Sequence, residues 1–128
     1  MPPFQPAGYT TASPYLVVNG AAATIEFMQR VLGGELVRSV PMPDGKIGHS
    51  EVRLGDSLVM VSDVMEGWPA AEAHVHVYVA DVDAAHARAL AAGATSVQAP
   101  TQKRDDRDKR GGVRDAGGTT WWIATHVG

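Results

Sequence analysis

Cysteine is absent from the 128 residues, so no disulfide can staple the chain and no thiolate can serve as a metal ligand or redox group. A basic excess is absent as well. Eleven Lys+Arg face 14 Asp+Glu, a formal charge of -3, which argues against a protein that neutralises nucleic-acid phosphates. No apolar run approaches the ~20 residues that cross a bilayer, so no membrane partner is expected. The proline-rich residues 1–13 lack a basic stretch followed by an apolar one and do not read as a signal peptide. A phosphate-binding glycine loop, a dinucleotide fingerprint and a nucleophile motif are also missing. What is present is an ordinary globular composition, 45% apolar and 20% charged. One domain over residues 1–128, located in the cytoplasm, is the expectation.

The chain reads as two similar halves. One opens with Tyr15-Leu-Val-Val-Asn-Gly, continues through residues 21–32, and breaks at Gly33-Gly34. The other opens with Val75-His-Val-Tyr-Val-Ala-Asp, continues through 82–92, and breaks at Gly93. Ile25, Met28 and Val31/Leu32 recur at helical spacing, and the alanine-rich 82–92 is a strong helix former that Asp81 or Asp83 can cap. Gly33 and Gly93 suit the left-handed position that closes a helix. Extended segments follow each helix: 35–42, 47–54 and 57–62 in the first half, and 95–99, 112–115 and 119–125 in the second. The fold class is therefore α+β, two βαβββ modules at about 14–63 and 73–126. They are joined by a linker at 64–72 and preceded by an arm at 1–13. The segment Lys103-Arg-Asp-Asp-Arg-Asp-Lys-Arg110 reads as a solvated loop, or as one that touches a ligand or partner.

Several stretches carry a family resemblance: Pro14-Tyr-Leu-Val-Val-Asn-Gly-Ala-Ala-Ala-Thr-Ile-Glu-Phe, Asp44-Gly-Lys-Ile-Gly-His-Ser-Glu-Val-Arg-Leu-Gly-Asp-Ser, Val79-Ala-Asp-Val-Asp-Ala-Ala and Gly111-Gly-Val-Arg-Asp. With Trp121-Trp-Ile-Ala-Thr-His126 they make the chain resemble the glyoxalase/bleomycin-resistance/extradiol-dioxygenase (vicinal oxygen chelate) superfamily, and within it the PhnB-like branch. The resemblance implies cupped mixed sheets with helices on their convex side. It leaves activity open, because the fold hosts lyases, dioxygenases, epimerases and drug binders. Two segments of the branch are altered. The Asp-Pro-Phe-Gly-His turn stands here as Asp115-Ala-Gly-Gly-Thr119, and the Gln-Phe-x-Gly-Asp-Arg segment is replaced by the charged run from Gln102.

The resemblance places the superfamily's four metal ligands at or near Ser13, Met60, His74 and Trp122. Only His74 is a ligand type, and moving the register by one residue improves nothing. No metal and no other cofactor is expected. A different set stays open. His74 and His76 share one face of a strand, as do His49 and Glu51, and if the faces met they would offer three imidazoles and a carboxylate. His49 and Glu51 could also form a metal-free general base, or both pairs could be half-exposed polar residues of separate surfaces.

The remaining reading is a binding cup. Met60, His74, His76, Tyr78 and Trp122 fall on the cup-facing register, where a thioether and flat rings suit an aromatic ligand. Trp121 with Ile123 is expected in the core and Trp122 in the cup, while Trp68 of the linker is a lid or an exposed anchor. The resemblance implies a homodimer that sequesters a small, aromatic drug or metabolite without turning it over. The competing readings are a metal-dependent lyase or dioxygenase and a metal-free isomerase built on His49 and Glu51.

Overall fold

The computed structural model describes residues 4–128, so Met1, Pro2 and Pro3 of the expected arm lie outside it. The first module runs β1 (Tyr15–Val18), α1 (Ala21–Leu32), β2 (Glu35–Pro41), β3 (Ile47–Leu54) and β4 (Ser57–Asp63). The second runs β5 (Ala73–Tyr78), α2 (Val82–Ala91), β6 (Thr95–Gln102), β7 (Asp108–Arg114) and β8 (Thr119–His126). Each module is one four-stranded mixed sheet, ordered β1-β4-β3-β2 and β5-β8-β7-β6. The first strand of each pairs in parallel with the last, so the helix must cross over one face of the sheet.

The register makes the duplication concrete. Met60 lies opposite Tyr15 and Glu51, and Trp122 lies opposite His76 and Gly112. Tyr15, Glu51 and Met60 of one module thus correspond to His76, Gly112 and Trp122 of the other.

Alternation along the strands decides which side faces the helices. Leu16, Val18, Val59 and Val61 are buried with Ile25, Met28 and Val31 of α1, and Val113, Trp121 and Ile123 are buried with Val82, Ala85 and Ala89 of α2. Trp121 is fully buried while its neighbour Trp122 is half-exposed, as expected from opposite-facing residues on one strand.

Each helix is started by the last strand of its own module. Gly20 opens α1 with φ 86°, a conformation that suits glycine but supplies no capping side chain. Asp63, ending β4, substitutes for it. Its Oδ1 accepts the N–H groups of Gly20 and Ala21 at 3.1 and 2.8 Å, and its Oδ2 accepts that of Ile47 at 2.8 Å. In the second module Asp81 accepts from Ala84, and Thr125, standing where Asp63 stands, accepts from Val82 at 2.9 Å.

The modules share one core. Phe27 of α1 stacks on Trp121 of β8 with centroids 5.7 Å apart, and Arg88 of α2 donates twice to the carbonyl of Val31 near the end of α1. The β7–β8 turn reaches the first module through Gly117, where a Cβ would come within 2.9 Å of the Thr24 hydroxyl.

One expectation needs correction. Residues 103–107 of the charged run form the expected, largely exposed turn, but its last three residues, 108–110, belong to β7, where Asp108 and Arg110, two apart, project to the same face and hydrogen-bond each other. The two strands reach further into this region than expected, β6 to Gln102 and β7 from Asp108. The described part of the arm packs on its own module. Arg53 donates to the Gly8 carbonyl at 2.7 Å and the Tyr9 hydroxyl donates to Glu51.

Candidate functional site

The concave face of the first module holds a chain of polar contacts. Tyr15 from β1, and His49 and Glu51 from β3, stand on that face on either side of β4, and Tyr9 comes in from the arm. The Tyr9 hydroxyl donates to Glu51 Oε1 at 2.5 Å, and His49 Nε2 lies 2.8 Å from Glu51 Oε2. Tyr15 Oη lies 3.1 Å from His49 Nδ1. Glu51 is only 3% exposed. Burial pushes its carboxyl up, and the bonds from Tyr9 and His49 outweigh that, so it lies below the usual glutamate value. The ionised carboxylate can only accept, so His49 donates to it from Nε2. The hydrogen bond to Glu51 raises the Tyr9 phenol. Trp68 completes this cup. Its indole donates to Ser62 Oγ at 3.1 Å, and its ring meets Tyr15 edge-on at 6.1 Å. It is 45% exposed, so the structure puts it at the rim of the cup.

The concave face of the second module is aromatic where the first is acidic. Trp122 lies over Gly112, the counterpart of Glu51, so closely that a Cβ there would sit 2.6 Å from its Cζ3. Its indole N–H donates to His74 Nδ1 at 3.0 Å, and the two rings are within 7° of parallel with centroids 6.2 Å apart. An indole N–H lies in its ring plane, as does an imidazole lone pair, so the pair extends as one flat surface. His76 and Tyr78 continue along β5 with rings 4.9 Å apart.

A charged network fixes this second pair. Tyr78 donates to Asp108 Oδ2 at 2.7 Å, His126 Nδ1 lies 2.8 Å from Oδ1, and Arg110 bridges Asp106, Asp108 and His76. The bonds from Tyr78 and His126 hold the Asp108 carboxyl below its usual range, and the bond to Asp108 raises the Tyr78 phenol. Burial, and then the Arg110 charge, hold His76 below the ordinary histidine value.

The residues expected to line one cup are therefore divided. Met60 and Trp68 belong to the first concave face with His49 and Glu51, and His74, His76, Tyr78 and Trp122 belong to the second. Among the described residues no hydrogen bond or ring contact joins the two sets. A cavity of about 310 Å³ opens at the seam, between Pro14, Leu54 and Val59 on one side and β5 on the other. Of the expected ligand residues, only His76 and Tyr78 reach its wall. Tyr9, Tyr15, Asp108 and Arg110 were not anticipated. Their partners lie up to 42 positions away, and only a comparison of the two halves strand by strand would have aligned Tyr15 with His76.

The model of the glyoxalase-like domain matches residues 15–124, both modules together. The chain belongs to this family. An uncharacterized protein of Mycobacterium bovis is 35% identical to it over 129 residues, covering 90% of this chain and 82% of the relative. Among solved structures, TioX from Micromonospora sp. ML1 is 27% identical with a TM-score of 0.71, covering 90% of this chain and 98% of that one. TnmS3, an antibiotic binding protein from Streptomyces sp. CB03234, superposes with a TM-score of 0.67 over 91% of this chain and 97% of its own. At 16% identity it attests the fold alone.

The superfamily's metal does not fit the residues this glyoxalase-like domain presents. Met60 and Trp122 hold central positions of the two concave faces, where a thioether and an indole give no hard or borderline donor. The alternative set of His49, Glu51, His74 and His76 does not converge. His49 and Glu51 bind each other and two tyrosines, while His74 and His76 are engaged by Trp122 and Arg110 in the other module. Among the described residues no three His, Asp or Glu side chains are arranged to hold an ion. None of the helices of the described residues is long and apolar enough to cross a membrane.

Proposed function

We propose that this chain is a small-molecule binding protein that holds a flat aromatic drug or metabolite on the concave face of its second module and releases it unchanged. The observation that carries the reading is the joined plane of His74 and Trp122, half-exposed on that face. A rigid plane, preorganised by a hydrogen bond and by the glycine beneath it, gains stacking contact without losing rotamer freedom on binding. Tyr78 and His76 flank it, and Met60 adds an adaptable apolar surface on the other cup. The altered 115–119 turn and 102–110 run fit a pocket that has diverged within the PhnB-like branch. TnmS3, with the same fold, is an antibiotic binding protein, which accords with antibiotic sequestration in the cytoplasm.

A homodimer belongs to the same proposal. Leu36, Val37, Val40 and Met42, on and beside the edge strand β2, stand 37–40% exposed, an apolar strip that a second copy would cover. Titration of intrinsic fluorescence with a panel of planar antibiotics tests the reading. Quenching is expected in the wild type and in Trp68→Phe, and lost in Trp122→Leu. An unchanged signal across the whole panel would refute it.

One observation favours a second reading, a metal-free isomerase. His49 and Glu51 are 2.8 Å apart, with Glu51 placed to orient the ring and stabilise its charged form. In that case His49→Asn and Glu51→Gln abolish turnover and leave ligand binding in place.

A further inference from the structure

We propose that the cavity at the seam between the modules is a second ligand site, and that it takes small, extended aliphatic amides by adding them to the open edge of β5. The site is separate from the planar face of His74 and Trp122, neither of which lines it.

Sheet order leaves β5 at the end of its sheet, with β8 on one side and no strand on the other. The cavity of about 310 Å³ is lined by Val75 and Val77 from one face of β5 and by His76 and Tyr78 from the opposite face. A cavity that touches both faces of an edge strand lies along its free edge, because β8 covers the other.

The main chain along that edge is open in a defined pattern. In a parallel pair, alternate residues aim both their N–H and their C=O at the neighbouring strand. Val79 N–H donates to the carbonyl of Ala124 at 2.8 Å, while Tyr78 is the residue that stands opposite Ala124. Val75, Val77 and Val79 therefore direct their main-chain groups at β8, and those of His76 and Tyr78 point to the open edge. Among the described residues no other main-chain group hydrogen-bonds to them.

These donors and acceptors repeat about 6.6 Å apart along the strand and face a wall that includes Pro14, Leu54 and Val59. The wall favours aliphatic groups. The edge favours a group that donates and accepts side by side, as the amides of an added strand do. The volume is at the lower end of ligand pockets, which suits a molecule the size of a capped amino acid.

Acetyl-valine methylamide, small and neutral, is the probe. Titrated into isotope-labelled protein, it should move the main-chain N–H signals of His76 and Tyr78 and leave the Trp122 indole N–H in place. Successive N–H groups of an extended chain point to opposite sides, so only one of the probe's two can face β5. Two analogues exploit this, one methylated on the valine nitrogen and one carrying a dimethylamide. One of them should bind about tenfold more weakly than the parent, the weight of one well-formed hydrogen bond, and the other about as well as the parent. Ser57→Phe puts a ring on the exposed start of β4 at the cavity wall and should abolish the shifts. If that variant does not fold, the wild-type comparison decides alone. Unmoved signals at His76 and Tyr78, or equal affinities for the two analogues, would overturn this inference. Planar binding is read from Trp122 and stands or falls separately.

Discussion

Trp122 lies flat on Gly112, at the place where the other module puts Glu51 opposite Met60. The two halves of the duplication have used the same register position in opposite ways. In one a side chain rises from the sheet and ionises, and in the other its absence lets an indole lie down on the sheet.

Gly112→Ala therefore changes the binding face without replacing any of its functional side chains. The added methyl would sit 2.6 Å from the indole, far inside contact distance, so the ring must lift. Overpacking of this kind costs about 1–3 kcal/mol. The variant should melt at a lower temperature, and the Trp122 indole N–H resonance should move as its bond to His74 breaks. An unmoved resonance would mean that the indole has room to spare.

Glu51 ties the arm to the first sheet through Tyr9, and the effect of its removal should depend on pH. Its carboxyl lies below the usual value in the folded chain and at the usual value when unfolded. The stability it contributes is therefore fully present above the ordinary glutamate range and fades as pH falls through that range towards the folded pKa. Glu51→Gln should cost about 1–3 kcal/mol in urea unfolding at pH 7.5. The gap to wild type should narrow below about pH 4. A gap of constant size across that window would contradict the charge-based account.

Asp63 starts a helix from a strand that is distant in sequence. Asp63→Ala orphans three backbone N–H groups and should cost about 2–3 kcal/mol by equilibrium unfolding. Asp63→Asn keeps an accepting oxygen and should cost less. Thr125→Val in the second module removes one such contact and should cost about 1 kcal/mol, because Asp81 still caps α2. Equal losses for Asp63→Ala and Thr125→Val would show that the two strand ends do not differ as drawn. The measured folded pKa of Asp63 should also lie low, since its three backbone N–H bonds outweigh the effect of burial.

Much of the architecture was legible before folding was considered. Helical spacing at Ile25, Met28 and Val31, glycine closure at 33 and 93, and alternation along 75–79 are local signals set by backbone sterics and side-chain period. They place α1 and β3 at the expected residues and assign Trp121 to the core and Trp122 to the cup. The charged run 103–110 misled because charge is a weak predictor of exposure: Asp108 and Arg110 neutralise each other on a strand face.

The grouping of the site residues required the tertiary structure. Composition alone showed that His, Asp and Glu were the available ligands and that a thiolate was not. Nothing local says that Glu51 meets Tyr9, or that His76 meets Arg110 at a separation of 34 residues. Strand pairing creates those neighbours, and it separates His49 and Glu51 from His74 and His76 by assigning them to different sheets. The sequence determines which groups exist and which face of its strand each occupies, because both follow from a period of two. Only the closed sheets decide which faces meet, since register between distant strands is set by the packing of the whole core.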